Sequence, residues 1–316
     1  MADSKNFISI GIDAGTKILT AANKGQVTAK LEGFDFNTLR EESEIFLDDI
    51  ITSCYIAVPD DYNKRQRDEI IKLASNSGFD DVNIINSYEA LIYADTGSAL
   101  ICDFGASKFS MSVIYDNEIL DEEIIPDLNG NIIDKIFTEW LSARFNINLA
   151  DNTKAEHIKI YLSNNNSFTW RGVDILREDF ERLIYFQVKR ASHTAKKFYR
   201  IYKPAKIILT GGMSNIPIIR QIFSEELNII PEINQDLIAK GAAVAASSDD
   251  DKIKAKIDTA QKFKELRGQI LIIEDLLTRS QKDKLYLLVK QAEGINDSGI
   301  IEILQNLISE IKSPGE

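Results

Sequence analysis

Three stretches decide the fold: IGIDAGT (10–16), LICDFGASKFSMSVI (100–114) and IILTGGMSNIPIIRQIF (207–223). In each, a short apolar, β-branched run ends in glycine, as Gly11-Ile12-Asp13-Ala14-Gly15-Thr16, Asp103-Phe104-Gly105-Ala106-Ser107 and Thr210-Gly211-Gly212-Met213-Ser214. A glycine turn at a strand end exposes consecutive backbone N–H groups, which suits phosphate. An acid at the same turn, as with Asp13 and Asp103, can hold a hydrated magnesium ion. One such turn alone is only a turn. Three in one chain, two of them with an acid at the strand end, are a much stronger signal for phosphate than any one alone.

Working outward, strand-like runs alternate with helical spacing through the first 245 residues. CYIAVP (54–59) reads as a strand closed by Pro59, and 61–78 as a helix with Ile70, Ile71, Leu73 and Ala74 spaced along it and Gly78 at its end. VNIIN (82–86) is a further strand, and FSMSVIY (109–115) alternates as the hairpin partner of the strand before it. Helices are predicted over Asn131–Ala143, Arg177–Tyr202 and Ile216–Leu227, and GAAVAA (241–246) lets two elements approach closely. The class is α/β. After SSDDDK (247–252), apolar residues recur at steps of three and four in three runs, from Ile253 to Leu277, Leu285 to Ala292 and Ile300 to Ile311. That predicts a small three-helix bundle over 249–316, following an α/β domain over 1–248.

Charge divides the chain at the same place. The formal net charge is −12, yet residues 251–316 hold 11 basic and 11 acidic side chains, so the surplus lies wholly in the first 250 residues. An acidic balance argues against non-specific binding to nucleic acid or anionic membrane, which both require excess Lys and Arg. No apolar run reaches the roughly 18–20 residues of a membrane span, and the opening MADSKNF is polar, so no span or signal peptide is expected. Cys54 and Cys102 lie in apolar runs and read as buried, reduced thiols. The expectation is a soluble, cytoplasmic protein.

The order and spacing of these motifs resemble the nucleotide-binding domain of the 70-kDa heat-shock (DnaK-like) chaperones, within the actin, sugar-kinase and chaperone superfamily. The family's first phosphate loop resembles 10–16, its connecting segment 55–86, its second phosphate loop 100–114 and its adenosine motif 207–223, closed by AKGAAVAA (239–246). The resemblance implies a two-lobed, actin-like ATPase (ribonuclease-H-like) fold with reduced subdomains. It implies ATP or ADP, with magnesium, in the cleft between the lobes. Phosphates would meet Gly15, Thr16 and Lys17 on one side and Gly105, Ala106, Ser107 and Lys108 on the other. Adenosine would meet Gly211, Gly212 and Met213, together with a Glu-x-x-Lys-x-x-x-Ser helix matched by Glu156, Lys159 and Ser163. Asp13 and Asp103 would hold magnesium through water. Pro59 and Arg67 match residues through which the family relays nucleotide state.

The departures carry as much meaning as the match. Only about 35 residues separate Lys17 from Ser53, so most of a cleft subdomain is missing, and with it the lysine that positions the attacking water in the family. The family's catalytic glutamate falls on Ser87. In the second loop a threonine is replaced by Lys108 and an aspartate by Ser110; in the first, a threonine is replaced by Lys17. The arginine that stacks on the base is Ile160, and the Gly-Gly-acid loop is Asn129-Gly130-Asn131. Phosphoryl transfer depends on positioning and charge stabilisation, so losses of this kind predict very slow hydrolysis or none. No residue is assigned a catalytic role beyond residual candidates Asp13 and Asp103. The two histidines, His157 and His193, sit in helical stretches with no ligand-spaced partner.

Lys17 and Lys108 admit two readings. As fixed cations facing phosphate they would lessen the need for metal. Otherwise they would form salt bridges with Asp13 and Asp103 in an empty cleft. The C-terminal helices resemble the family's helical lid, without the β-rich client-binding domain or the apolar linker that precede it. The leading expectation is a switch, scaffold or cochaperone-like module that binds nucleotide, with a protein partner or a second copy of the chain reached through those helices. Two alternatives stay open: a working ATPase using Lys17, Lys108 and Glu89, and an actin-like filament or organelle accessory protein.

Overall fold

The computed structural model describes residues 7–94, 96–115, 118–125, 128–145, 152–170, 172–247 and 305–306. The chain divides into two compact units, Met1–Ser248 and Asp249–Glu316. The three-helix bundle expected of the second unit lies outside the described residues, except that Gln305 and Asn306 are helical and exposed.

The first unit holds two five-stranded sheets built to one plan. In the first sheet, β1 (Phe7–Ala14), β2 (Ile18–Asn23) and β3 (Gln26–Glu32) form an antiparallel meander, and β4 (Ile50–Val58) and β5 (Asp81–Asn86) add in parallel on the other side of β1. The second repeats this with β6 (Ala99–Phe104), β7 (Phe109–Tyr115) and β8 (Glu118–Ile125) as the meander. Beside β6 lie β11 (Lys206–Thr210) and β12 (Glu232–Ile233) in parallel. The orders β3-β2-β1-β4-β5 and β8-β7-β6-β11-β12 are therefore equivalent. Asp13 and Asp103 occupy the same place in this plan, next to last in the first strand of each sheet. The described fold is the two-lobed, actin-like α/β architecture that the motifs imply.

The lobes have separate cores because each sheet buries one face under its own helices. Ile10, Ile12, Leu19, Ile56 and Val58 pack under α1 (Phe36–Leu47) and α2 (Lys64–Asn76). The second and larger core gathers Phe104, Phe109 and Leu209 under α4 (Gly130–Phe145), α5 (Thr153–Asn164), α6 (Arg177–Tyr202) and α7 (Pro217–Leu227). A short hairpin of β9 (Ser167–Trp170) and β10 (Val173–Leu176) joins α5 to α6. Between Lys17 and the start of β4 at Ile50 lie only β2, β3 and α1, so the first lobe carries no inserted subdomain there. Helix α2 starts three residues later than its spacing predicts. The Asn63 side chain accepts from Gln66 N at 3.1 Å while Gln66 Oε1 accepts from Asn63 N at 2.9 Å, and this reciprocal cap stops the helix from extending backwards.

The lobes are joined by α3 (Ser87–Tyr93) and α8 (Leu237–Ser247), which share a core cluster including Ala57, Ala90, Ile101, Ile208 and Ala242. Here GAAVAA is a backbone contact surface. A Cβ on Gly241 would fall 1.8 Å from the Ala90 carbonyl oxygen, and one on Gly11 would fall 1.9 Å from Ala243 N. Both Cys54 and Cys102 are buried thiols, and burial pushes each far above the ordinary thiol range. Among the described residues, no helix is long and apolar enough to cross a membrane.

Because neither backbone at the Gly241 contact can give way cheaply, Gly241→Ala is expected to destabilise the domain by about 3 kcal/mol in urea denaturation. Gly212→Ala is the control. Its Cβ would meet nothing within 4 Å, and its effect should stay within about 0.5 kcal/mol.

Candidate nucleotide-binding cleft

The three glycine turns converge. β1 ends at Ala14 and turns through Gly15, Thr16 and Lys17 into β2, with Gly33 N donating to Lys17 O at 2.8 Å and tying the turn to the end of β3. In the other lobe, β6 turns through Gly105–Lys108 into β7. After β11 comes Gly211 with φ +80°, then a 3₁₀ turn over Gly212–Asn215. A Cβ on Gly211 would lie 2.4 Å from Asp103 Oδ1 and 2.6 Å from Phe104 O, so only glycine lets the third turn rest on the second. One cavity of about 310 Å³ opens between these turns, and every residue that the sequence assigns to nucleotide or magnesium lines it. Small-molecule sites usually occupy about 300–1,000 Å³, so this one is at the small end.

Lys17 and Lys108 both line the cavity, and their carboxylate partners are not the ones that the salt-bridge reading expected. Lys17 Nζ lies 3.1 Å from Asp134 Oδ2 and 2.7 Å from Glu156 Oε1, on α4 and α5 of the opposite lobe. Lys108 Nζ lies 3.0 Å from Asp60 Oδ2, just beyond β4. Neither lysine pairs with Asp13 or Asp103. Lys159, expected at adenosine, sits 2.6 Å from Asp134 Oδ1 with almost no exposed side chain, and Ser163 donates to Lys159 O at 3.0 Å. Glu156 and Lys159 are thus part of one charge network with Lys17. The sequence reading missed Asp60 and Asp134. Asp134 was the more findable, since it restores a carboxylate one helical turn after the loop that had lost its acid.

Residues 13–255 match the family model described as Hsp70 protein. The chain belongs to the Hsp70 family. It is 27% identical over 248 residues to the chaperone protein HscA homolog of Rickettsia bellii (strain RML369-C), covering 73% of this chain and 42% of that one. Against the HscA homolog of Rickettsia typhi (strain ATCC VR-144 / Wilmington) the identity is 26% over 257 residues, covering 76% of this chain and 44% of that one. The chain spans less than half the length of these relatives.

At the cleft position where the resemblance expects the family's catalytic glutamate, this chain has Ser87. Ser87 lines the cavity, but its hydroxyl donates to Val58 O at 3.0 Å. Glu89, the candidate in the active-ATPase reading, is buried in helix α3, where Glu89 Oε2 accepts from Asn86 N at 2.6 Å in a capping box, and it is not among the cavity-lining residues. Ile160 lines the cavity half-exposed where the resemblance expects arginine. Arg67, also singled out, bonds Tyr62 O at 2.9 Å and the Asn86 side chain, tying α2 to the end of β5.

Asp13 and Asp103 set the electrostatics. Burial, then the neighbouring Asp103 carboxylate, pushes Asp13 up to about 7. Burial pushes Asp103 up to about 6, with Lys108 acting in the opposite direction. Among the described residues no lysine or arginine lies within ion-pair distance of either. Two half-buried acids, without a lysine or arginine at ion-pair distance among the described residues, could hold a hydrated divalent ion.

A carboxyl whose folded-state pKa lies above its unfolded value near 3.9 binds a proton more tightly when folded. Its contribution to stability therefore falls as pH rises from about 4 to 7 and then levels off. Asp103→Asn keeps the shape and removes one charge. The variant is expected to exceed the parent in stability by on the order of 2 kcal/mol at pH 7.5, and to match it near pH 4. Urea denaturation at the two pH values, without divalent metal, checks this.

Proposed function

We propose that this Hsp70-family chain binds an adenine nucleotide with magnesium in the interlobe cleft and hydrolyses it extremely slowly or not at all. The observation that carries the reading is a cavity that brings both Asp–glycine turns together with Gly211, Gly212 and Met213, while Ser87 stands where the resemblance expects the family's catalytic glutamate. Backbone N–H groups of Gly15–Lys17 and Gly105–Lys108 would donate to phosphate oxygens, and Asp13 and Asp103 would hold the metal through water. Magnesium, when bound, supplies the positive charge that offsets the phosphates. It is needed because the four cavity-lining lysines already have partners: Lys17, Lys108 and Lys159 as described, and Lys30 with Asp236 at 3.0 Å. That favours a metal-dependent site over a lysine lock.

Slow turnover follows from what Ser87 can do. Its hydroxyl is a far weaker base than a carboxylate and is engaged with Val58 O. Loss of a general base alone typically costs about 10²–10⁴ in rate. In this reading the chain works as a nucleotide-responsive switch or scaffold of the chaperone family, and the segment 249–316 reaches a protein partner or a second copy of the chain.

Titration calorimetry with ADP tests the binding half. Chelating magnesium, Asp13→Ala and Asp103→Ala should each weaken binding by about tenfold or more, roughly 1.4 kcal/mol. Single-turnover assays with ATP should show no hydrolysis above the rate of the Asp103→Ala variant. Failure of every adenine nucleotide to bind would sink the proposal, and magnesium-dependent turnover abolished by Asp103→Ala would replace it with the active-ATPase reading.

A further inference from the structure

Two lysines cross the cleft in opposite directions. Lys17, in the β1–β2 turn of the first lobe, reaches Asp134 and Glu156 of the second at 3.1 and 2.7 Å. Lys108, in the β6–β7 turn of the second lobe, reaches Asp60 of the first at 3.0 Å. The two turns hold equivalent places in sheets of equivalent strand order, so the bridges form a reciprocal pair.

These are not loose surface contacts. The Asp134 side chain is 1% exposed and is also held by Lys159, and the Lys108 and Asp60 side chains are only 14% and 17% exposed. Lys17 and Glu156 are more open, at 32% and 23%, but removing Lys17 or Lys108 takes a partner from the shielded Asp134 or Asp60. The lysines sit in the same turns as the two glycine loops.

We propose that Lys17 and Lys108 are positioning residues that latch the two lobes across the cleft and so fix the separation of the Asp13 and Asp103 turns. It goes beyond the nucleotide reading and does not depend on it, because both bridges are made entirely by the chain's own side chains. Hinge packing at α3 and α8 joins the lobes at one side of the cleft, and the latch ties the turns that line it.

Backbone hydrogen–deuterium exchange on the full chain, without nucleotide, tests the latch. Lys17→Met and Lys108→Met should each accelerate exchange in segments 14–18 and 104–109 by about fivefold. Lys17→Arg keeps the charge and the bridge, and should stay within about twofold of the parent. The charge swap Lys108→Asp with Asp60→Lys should return exchange to within about twofold, whereas Lys108→Asp alone should not. A merely structural role for the lysine stem would not be rescued by the swap. Unchanged exchange in both methionine variants overturns the latch, and so does a swap that exchanges as fast as Lys108→Asp. Equal acceleration at core amides of β4 and β6 also counts against it, since that marks global unfolding. ADP affinity is measured separately on the parent chain, so failure of the nucleotide reading leaves this result to stand or fall by itself.

Discussion

Everything in the described domain hangs on a place where backbone touches backbone. Helix α8 lies against β1 with Gly11 facing Ala242 and Ala243, and against α3 with Gly241 facing the Ala90 carbonyl. No side chain fits between them. The contact holds the first sheet close to the elements that begin the second lobe, and the shared cluster of Ala57, Ala90, Ile101, Ile208 and Ala242 fills the remaining space. Once those backbones are in contact, the ends of β1 and β6 must face one cavity, and Asp13 and Asp103 become electrostatic neighbours.

From that enforced proximity comes the unusual charge state of the cleft. Close, buried carboxylates repel and resist ionisation. A chain that kept free lysines beside them would neutralise the pair internally. Here the lysines are drawn instead to Asp60, Asp134 and Glu156, each on the lobe opposite its partner in the glycine turns. One set of carboxylates is thus paired with lysines across the lobes, while Asp13 and Asp103 have no lysine or arginine at ion-pair distance among the described residues. Membership of the Hsp70 family explains why the glycine turns and paired acids are present. It does not explain the lysines, which stand where the family motifs have threonines.

How much of this was legible in advance differs by element. The strand ends at 10–16, 100–105 and 207–212 were readable because a buried parallel strand needs an unbroken apolar run and its turn needs glycine. Helix α6 was bounded correctly at Arg177 and Tyr202, since its apolar stripe is long and regular. Helix α2 was placed three residues early because its start is fixed by the Asn63–Gln66 reciprocal cap, which composition alone did not distinguish from the surrounding polar run. Glu89 was a reasonable catalytic candidate by position. A carboxylate at the third residue of a helix, after Asn86, has a nearer use in capping, and the structure assigns it there.

By itself, the sequence determined the α/β class, the family resemblance and which short segments form the cleft, because those depend on local periodicity and on residues only a few positions apart. Only the tertiary structure decided where the charges go. Lys17 and Asp134 are 117 residues apart, and Lys108 and Asp60 are 48 apart. A long, flexible lysine can satisfy its charge with any carboxylate within reach, so its partner is chosen by how the lobes pack and not by the residues around it in the chain.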